Sequence, residues 1–421
     1  MKVLSVFTVL FSLFAFSFAQ DSTAGTRLDS LQEKLKILNE KVDKLQKESR
    51  QNEIEKLREA AQKRAQSPES AQGEVKQKTF REGSRSLQAL NPEISVTGDM
   101  LTRYLSEPPH YTEDARTGFR FRVLGLHIQS NLDPFSMAKV ALEFSPDEIG
   151  VGEAYMTWIN PFSRINLTAG KFRQQFGVIN RWHEHALDQV AFPLPIELYL
   201  GEEGLVQTGI SLSWLLPQLT ASANELTLQI TNSSNEHLFG GREYSLPATL
   251  FHFKNFYDLS RDTYLEWGIS GIAGTNDNLG FTFARSHRWT YLGGLDLTIS
   301  WSPVKRALYK GITWRSEIFY LNKQIEAGSR IKALGGYSYV DYRLSRRLIL
   351  GIRGDIAQPP VTENSDQFLW QVVPYLTFWQ SEFVFLRFQF NHLAGHHLAE
   401  KDNRFTLQID WAVGPHKHER Y

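Results

Sequence analysis

The 421-residue chain carries 46 basic and 46 acidic side chains, so its formal charge is zero, and it has no basic surplus from which to build a charge-driven nucleic-acid interface. Zero cysteines exclude disulfides, thiolate catalysis and Cys-ligated zinc or iron–sulfur centres. With 28 Phe, 15 Tyr and 10 Trp beside a mean hydropathy of −0.33, the chain is rich in aromatics yet polar on average, which excludes a helical membrane protein.

Residues 1–19 have the layout of a secretory signal: Lys2, an apolar run from Val3 to Phe16, then the small-x-small site Ser17-Phe18-Ala19 before Gln20. The run is shorter than the ~20 apolar residues of a membrane span, and polar residues follow at once. Residues 20–66 predict a coiled coil, with Leu28, Leu31, Leu35, Leu38, Val42 and Leu45 on the a and d positions of a heptad. The apolar phase restarts at Ile54, Leu57 and Ala61, which predicts a stutter. Residues 67–92, rich in Gln, Ser, Glu and Lys, read as a solvated linker.

From Glu93 to Tyr421 the period changes to two. Val206, Thr208, Ile210, Leu212, Trp214 and Leu216 alternate with Gln207, Gly209, Ser211 and Ser213, and the same pattern recurs over 289–301 and 403–413. These runs are about 11–13 residues long, nearer the ~9–11 of tilted membrane strands than the ~5–6 of soluble sheets. Candidate strands fall at 93–104, 118–129, 135–145, 150–159, 164–174, 204–216, 224–231, 247–257, 263–273, 289–301, 310–320, 332–342, 346–356, 367–378, 382–392 and 403–413. The prediction is an all-β transmembrane barrel of about sixteen antiparallel strands. Long connections (105–117, 175–203, 232–246, 274–288, 321–331, 357–366, 393–402) alternate with shorter ones, and only 146–149 breaks the rule. Such asymmetry is that of an outer-membrane barrel with tight turns on its periplasmic side. Trp158, Trp214, Trp301, Trp379 and Trp411 sit beside the short-turn rim and Trp289 and Trp370 beside the other, as interfacial girdles would.

The alternation nominates an inward face of Lys139, Glu143, Glu153, Lys171, Arg173, Gln207, Glu225, Gln229, Glu266, Asp296, Arg315, Glu317, Arg353, Asp355, Arg387, Gln389 and Asp410. Both signs are present, so the face reads as pore-lining, with many of its charges bracing the wall as Arg–Glu pairs. The connection 175–203 is too apolar for a free loop. Either it enters the lumen, placing Arg181, His183, Glu184, His185 and Asp188 at a constriction, or it caps neighbouring loops. His183 and His185, His396 and His397, and His416 and His418 invite a metal reading, but no third and fourth ligand can be assigned; they are read as exposed loop histidines, with no metal and no cofactor. No Gly-x-Ser-x-Gly, Gly-rich phosphate loop or His-Glu-x-x-His occurs, so no enzyme is expected.

Several segments resemble a known family: Asn91-Pro92-Glu93-Ile94-Ser95-Val96-Thr97-Gly98-Asp99, Ala169-Gly170-Lys171-Phe172 with Phe176-Gly177, Leu200-Gly201-Glu202-Glu203-Gly204 before Ser213-Trp214-Leu215-Leu216-Pro217, Tyr375-Leu376-Thr377-Phe378-Trp379 before Ser381-Glu382-Phe383, and Gly414-Pro415-His416. They are similar to outer-membrane porins related to the phosphate-selective porins, many with an N-terminal coiled coil and some labelled zinc-regulated outer-membrane receptors. The resemblance implies a bacterial outer-membrane location, lipid around the barrel, and a homotrimer, with the coiled coil and C-terminus periplasmic. The mixed inward charge departs from the single-sign ladder that phosphate selectivity needs. The expected function is passive diffusion of small polar solutes or ions. The alternatives are a gated uptake route for metal ions or complexes, and a structural protein tethering periplasmic partners through its coiled coil.

Overall fold

The computed structural model describes residues 92–105, 117–219, 221–239, 246–276, 288–326, 329–361, 367–395 and 401–414. The signal segment, the coiled coil, nearly all of the linker, and His396, His397, His416 and His418 lie outside the described residues. The strands are β1 (Glu93–Leu105), β2 (Gly118–Asp133), β3 (Ser136–Phe144), β4 (Ile149–Trp158), β5 (Ile165–Arg173), β6 (Val206–Leu215), β7 (Ala223–Thr231), β8 (Ala248–Asp258), β9 (Thr263–Asn276), β10 (Arg288–Trp301), β11 (Gly311–Glu326), β12 (Ser329–Arg343), β13 (Leu348–Ala357), β14 (Leu369–Trp379), β15 (Val384–Gly395) and β16 (Asp402–Val413). Each pairs antiparallel with its sequence neighbours, and β1 pairs with β16, closing a barrel with no free edge. Closure matters in lipid, where an unpaired strand edge has no water to satisfy it. Among the described residues no helix is long and apolar enough to cross a membrane.

The period-two pattern decides which face meets which solvent. Along β6, Gln207 (1 % exposed) and Ser211 are buried toward the interior while Ile210 (55 %) and Trp214 are exposed outside. Along β10, Thr290, Asp296 and Thr298 are inside and Tyr291 and Leu295 outside. Leu228, Phe251, Ile318, Ile352, Phe388 and Phe405 continue the apolar band around the wall, a surface untenable in water and native to a bilayer. Arginine at Ile210 should therefore destabilise the barrel by ~2–4 kcal/mol if that position lies near the bilayer midplane, whereas Ser211→Arg should fold normally. Unfolding titrations of the two variants in lipid check the difference, and equal stabilities would contradict the assignment of faces.

Two sequence expectations need correcting. The connection expected at 321–331 is almost entirely strand: β11 and β12 continue their ladder to Glu326↔Ser329. Trp379 lies at the expected rim but on the inner register with Thr377 and Tyr375, and its ring packs 4.9 Å from buried Phe385. It is a lumen residue, because polarity alone does not tell which side of the pleat an aromatic occupies.

Candidate functional site

The long connection between β5 and β6 enters the lumen. It runs through two 3-10 turns, Ile179–Arg181 and Glu184–Ala186, and the short helix α1 (Leu194–Leu200). Phe176, Ile179, Trp182, Leu187, Phe192, Ile196, Tyr199 and Leu200 are all at most 2 % exposed. They pack with Leu238 and Phe239 of α2 (Glu236–Phe239) against inner-wall residues including Leu250 on β8, Ile272 on β9, Leu292 on β10, Phe319 on β11, Tyr337 and Tyr339 on β12, and Leu369 on β14. The hydrophobic effect thus holds the loop against the β8–β15 half of the wall, which a loop lying in water could not exploit.

Directional bonds fix its register. Glu317 Oε1 accepts the backbone N–H of Val178 (2.9 Å) and Ile179 (3.0 Å). Ser270 Oγ accepts that of Gly177, whose φ of +60° and close approach to Glu317 leave no room for a Cβ. Asp188 Oδ2 accepts from Arg315 (3.0 Å) and the Tyr339 hydroxyl (2.8 Å), with the Arg315 guanidinium over the Trp182 ring. Arg353 pairs with Asp355 and donates to Ala191 O, while Arg387 donates to Leu187 O and Gln189 O. Gln389 Oε1 accepts from Val190 N, and the Gln189 amide donates to the Tyr375 hydroxyl (2.7 Å). Each loop backbone N–H and C=O named here has a partner, as a loop taken out of water requires.

Near the far end of the loop, burial pushes the Glu197 carboxyl up to about 7, with Asp355 adding to the rise and Arg353 opposing it. An unfolded glutamate titrates near ~4.3, so between roughly 4.3 and 7 the docked loop holds more protons than the undocked one and docking weakens as pH rises through that window. Glu197→Gln should remove this dependence, worth about 1–3 kcal/mol above pH 7. Backbone hydrogen exchange over 194–201 at pH 5 and pH 8 measures it, and equal pH dependence in the variant would contradict it.

Because the loop packs on the β8–β15 side, space remains along β3–β7. A cavity of about 150 Å³ lies between loop and wall, bordered by Lys139, Glu153, Tyr155, Thr157, Thr168, Phe172, Ser211, Ser213 and Gln229 from the wall and by Arg173, Gln175, Arg181 and His183 at the loop. A second, of about 430 Å³, opens toward the short-turn rim between Asn160, Ser163, Arg164, Asn166, Leu215 and Glu225, and it shares Ser213 with the first. At the same rim Arg343, Arg346, Arg347 and Trp379 border a third, of about 620 Å³. The narrow part carries both signs: Glu153 pairs with Lys139 (3.0 Å) and His183 (2.9 Å), while the Arg173 guanidinium donates to Glu203 O.

Lys139, Glu143, Glu153, Gln207, Glu225, Gln229, Glu266, Asp296, Arg315, Glu317, Arg353, Asp355, Arg387, Gln389 and Asp410 occupy inner register positions. Lys171 does not. It pairs with Thr208 and Ala154, while the alternate positions Thr168 and Phe172 border the cavity, so it stands on the outer face and its amino group reaches Val151 O. A lysine near a rim can lie along apolar wall and place its charge at a polar edge, which is why residue polarity misassigned it. Of Arg181, His183, Glu184, His185 and Asp188, only Arg181 and His183 border the narrow space; Glu184 lies by Arg122 and His185 by His127, both on β2, Asp188 is bonded to Arg315 and Tyr339 on β11 and β12, and His183 and His185 are buried, 6 % exposed each, rather than exposed as expected. Their ring neighbour His127, 5.2 and 5.3 Å away, is on β2. The alternation of Gly125, His127 and Gln129 against Leu124, Leu126 and Ile128 would have revealed it. Arg122, which pairs with Asp99 and approaches Glu184, was hidden by a β-bulge that breaks the alternation there. Among the described residues no group of His, Asp and Glu is arranged to hold a metal ion.

No family model matches the chain. It is 23% identical over 345 residues to an uncharacterized protein of Aquifex aeolicus (strain VF5), covering 73% of this chain and 71% of that one. Its fold is similar to that of the outer membrane channel DcaP of Acinetobacter baumannii (TM-score 0.51, 12% identity, 77% of this chain and 96% of that one). It is also similar to OmpF of Salmonella typhi solved in complex with daunomycin (0.51, 8%, 76% and 98%) and to OmpT of Vibrio cholerae, an outer membrane protein in a trimer form (0.51, 9%, 77% and 99%). At these identities the likeness is one of fold: the chain shares the barrel fold of these outer-membrane proteins.

Proposed function

We propose that the protein is an outer-membrane porin through which small polar solutes or ions diffuse passively along the β3–β7 wall. The observation that carries this reading is the division of the lumen. The inward loop closes the β8–β15 half with apolar side chains, while the other half keeps two adjoining spaces lined by hydroxyls, amides and charges of both signs. A pore that exchanges hydration shells for such groups, without a ring of one sign, favours small hydrophilic solutes with weak charge preference. The fold shared with a protein named as an outer membrane channel supports the same reading. Purified protein added to a planar bilayer should insert as stepwise, ohmic channels at neutral pH; silence at every voltage would argue for a closed, structural barrel.

On the same reading residues 1–19 direct export, the short-turn rim with the barrel's N-terminal strand faces the periplasm, and the Leu28–Leu45 seam joins three chains below three barrels. A three-heptad coil is weak alone, and barrels held side by side raise its effective concentration. The chain has no cysteine, so Leu35→Cys is a clean reporter: covalent trimers bridged by a trifunctional maleimide in intact envelopes are expected, and dimers alone would rule the seam out.

A further inference from the structure

We propose that His127, His183 and His185 form a proton-operated latch that holds the aperture-side segment of the inward loop against the wall. The proposal builds on the channel reading above, because the segment it holds borders the narrow cavity. The three ring centroids lie 5.2, 5.3 and 5.5 Å apart, one ring from β2 and two from the loop. His183 Nε2 meets Glu153 Oε2 on β4 at 2.9 Å and its Nδ1 meets Glu143 Oε1 on β3 at 3.3 Å. Ionised carboxylates only accept, and a neutral imidazole has a single N–H, so both contacts are hydrogen bonds only when both nitrogens carry protons. The geometry places His183 between two carboxylates that a doubly protonated ring would satisfy, with His185 stacked on it and His127 edge-on.

The cluster has room for one positive charge, and acid supplies more. Lys139 on β3 is already paired with Glu153, and Arg173 lies beside the same carboxylate, whose oxygen accepts its backbone N–H. Arg122 on β2 pairs with Asp99 and lies 3.5 Å from Glu184, and Arg181 borders the same cavity. Protonating the imidazoles of His127 and His185 adds two cations beside His183, where Lys139, Arg122, Arg173 and Arg181 already match the carboxylates Asp99, Glu143, Glu153 and Glu184 in number. Burial raises the Glu184 carboxyl above its usual range, so acid weakens its contact with Arg122 sooner than it would that of an exposed glutamate. Both changes loosen the loop from β2–β4.

The rest of the loop stays fixed. Its remaining anchors on β9–β15 are the guanidiniums, amides and hydroxyls of Arg315, Arg353, Arg387, Gln389 and Tyr375 and the carboxylates of Glu317 and Asp355, together with the apolar core. The guanidiniums, amides and hydroxyls do not titrate between pH 7.5 and 5.5, and at Glu197 acid strengthens docking rather than weakening it. The expected motion is confined to about residues 183–186, between the anchored Trp182 and Leu187, and withdrawal of His183 from Glu153 widens the cavity.

Two readouts on the whole protein test this. Backbone hydrogen exchange over 183–186, divided at each pH by that of an unstructured peptide of the same sequence, should accelerate several-fold from pH 7.5 to 5.5, and single-channel conductance should rise over the same interval. The double variant His127→Gln/His185→Gln should flatten both changes, and Glu184→Gln should retain a histidine-dependent step. If the double variant does not assemble, His127→Gln alone should move the transition to lower pH. Exchange that ignores pH, or that responds identically in the histidine variants, overturns the latch. A barrel that conducts at no pH yet shows the histidine-dependent exchange would instead overturn the channel reading and leave the latch standing.

Discussion

Excising residues 178–200 and joining the ends with a short Gly-Ser linker is expected to raise single-channel conductance several-fold while leaving the barrel folded. All sixteen strand pairings survive the deletion, because the loop contributes no strand to the ladder. What disappears is the packing of Phe192, Leu194, Ile196 and Tyr199 on the inner wall and, with it, the filling of the β8–β15 half of the lumen. Phe319, Tyr337 and Leu292 then face water, at a cost of ~25 cal/mol per Å² of apolar surface exposed, spread over a wall whose backbone hydrogen bonds are intact. Planar-bilayer recordings beside the unaltered protein check the result. Unchanged conductance would place the narrowest point elsewhere and remove the loop from the permeation path.

Replacing Arg353 with Met should release the middle of the same loop without opening the barrel. Arg353 is 1 % exposed, pairs with Asp355 at 2.9 Å, and donates to Ala191 O at 2.9 Å and Gln189 Oε1 at 3.3 Å. Asp355 in turn accepts the backbone N–H of Leu194 at the start of α1. Methionine fills the volume but leaves a buried carboxylate without its counter-charge and a carbonyl without its donor, a loss of ~3–5 kcal/mol for breaking a buried pair from one side. The loop can avoid that penalty by lifting off and letting water in, so protection over 189–194 should collapse and a protease should cut there. The double change Arg353→Met/Asp355→Asn should recover much of the protection, since it removes the orphaned charge. A double variant as labile as the single one would show that lost packing, not the unpaired carboxylate, drives release.

The barrel architecture was legible from local pattern. A side-chain period of two, kept over sixteen segments with an apolar outer face, has few solutions other than a closed sheet in lipid, and the solvent on each side writes itself into alternate residues such as Ile210 and Ser211. For the same reason most inner residues, from Lys139 to Asp410, could be named in advance. Lys171 and Trp379 escaped because each is amphipathic and stands near a rim, where either face is tolerable.

The tertiary structure alone decided what lies inside. The apolar content of residues 175–203 showed that the loop must be covered, but a lumen and a cap of other loops offer the same burial, and hydrophobicity has no direction. The choice rests on partners hundreds of positions away or on other strands: Glu317 for Val178 and Ile179, Arg387 for Leu187 and Gln189, Asp355 for Leu194. Likewise His127 meets His183 and His185 only because barrel closure sets β2 beside a loop that begins after β5. Periodicity reports which solvent each residue faces, whereas contacts across the lumen depend on strand order and register, and those are fixed only when the sheet has closed.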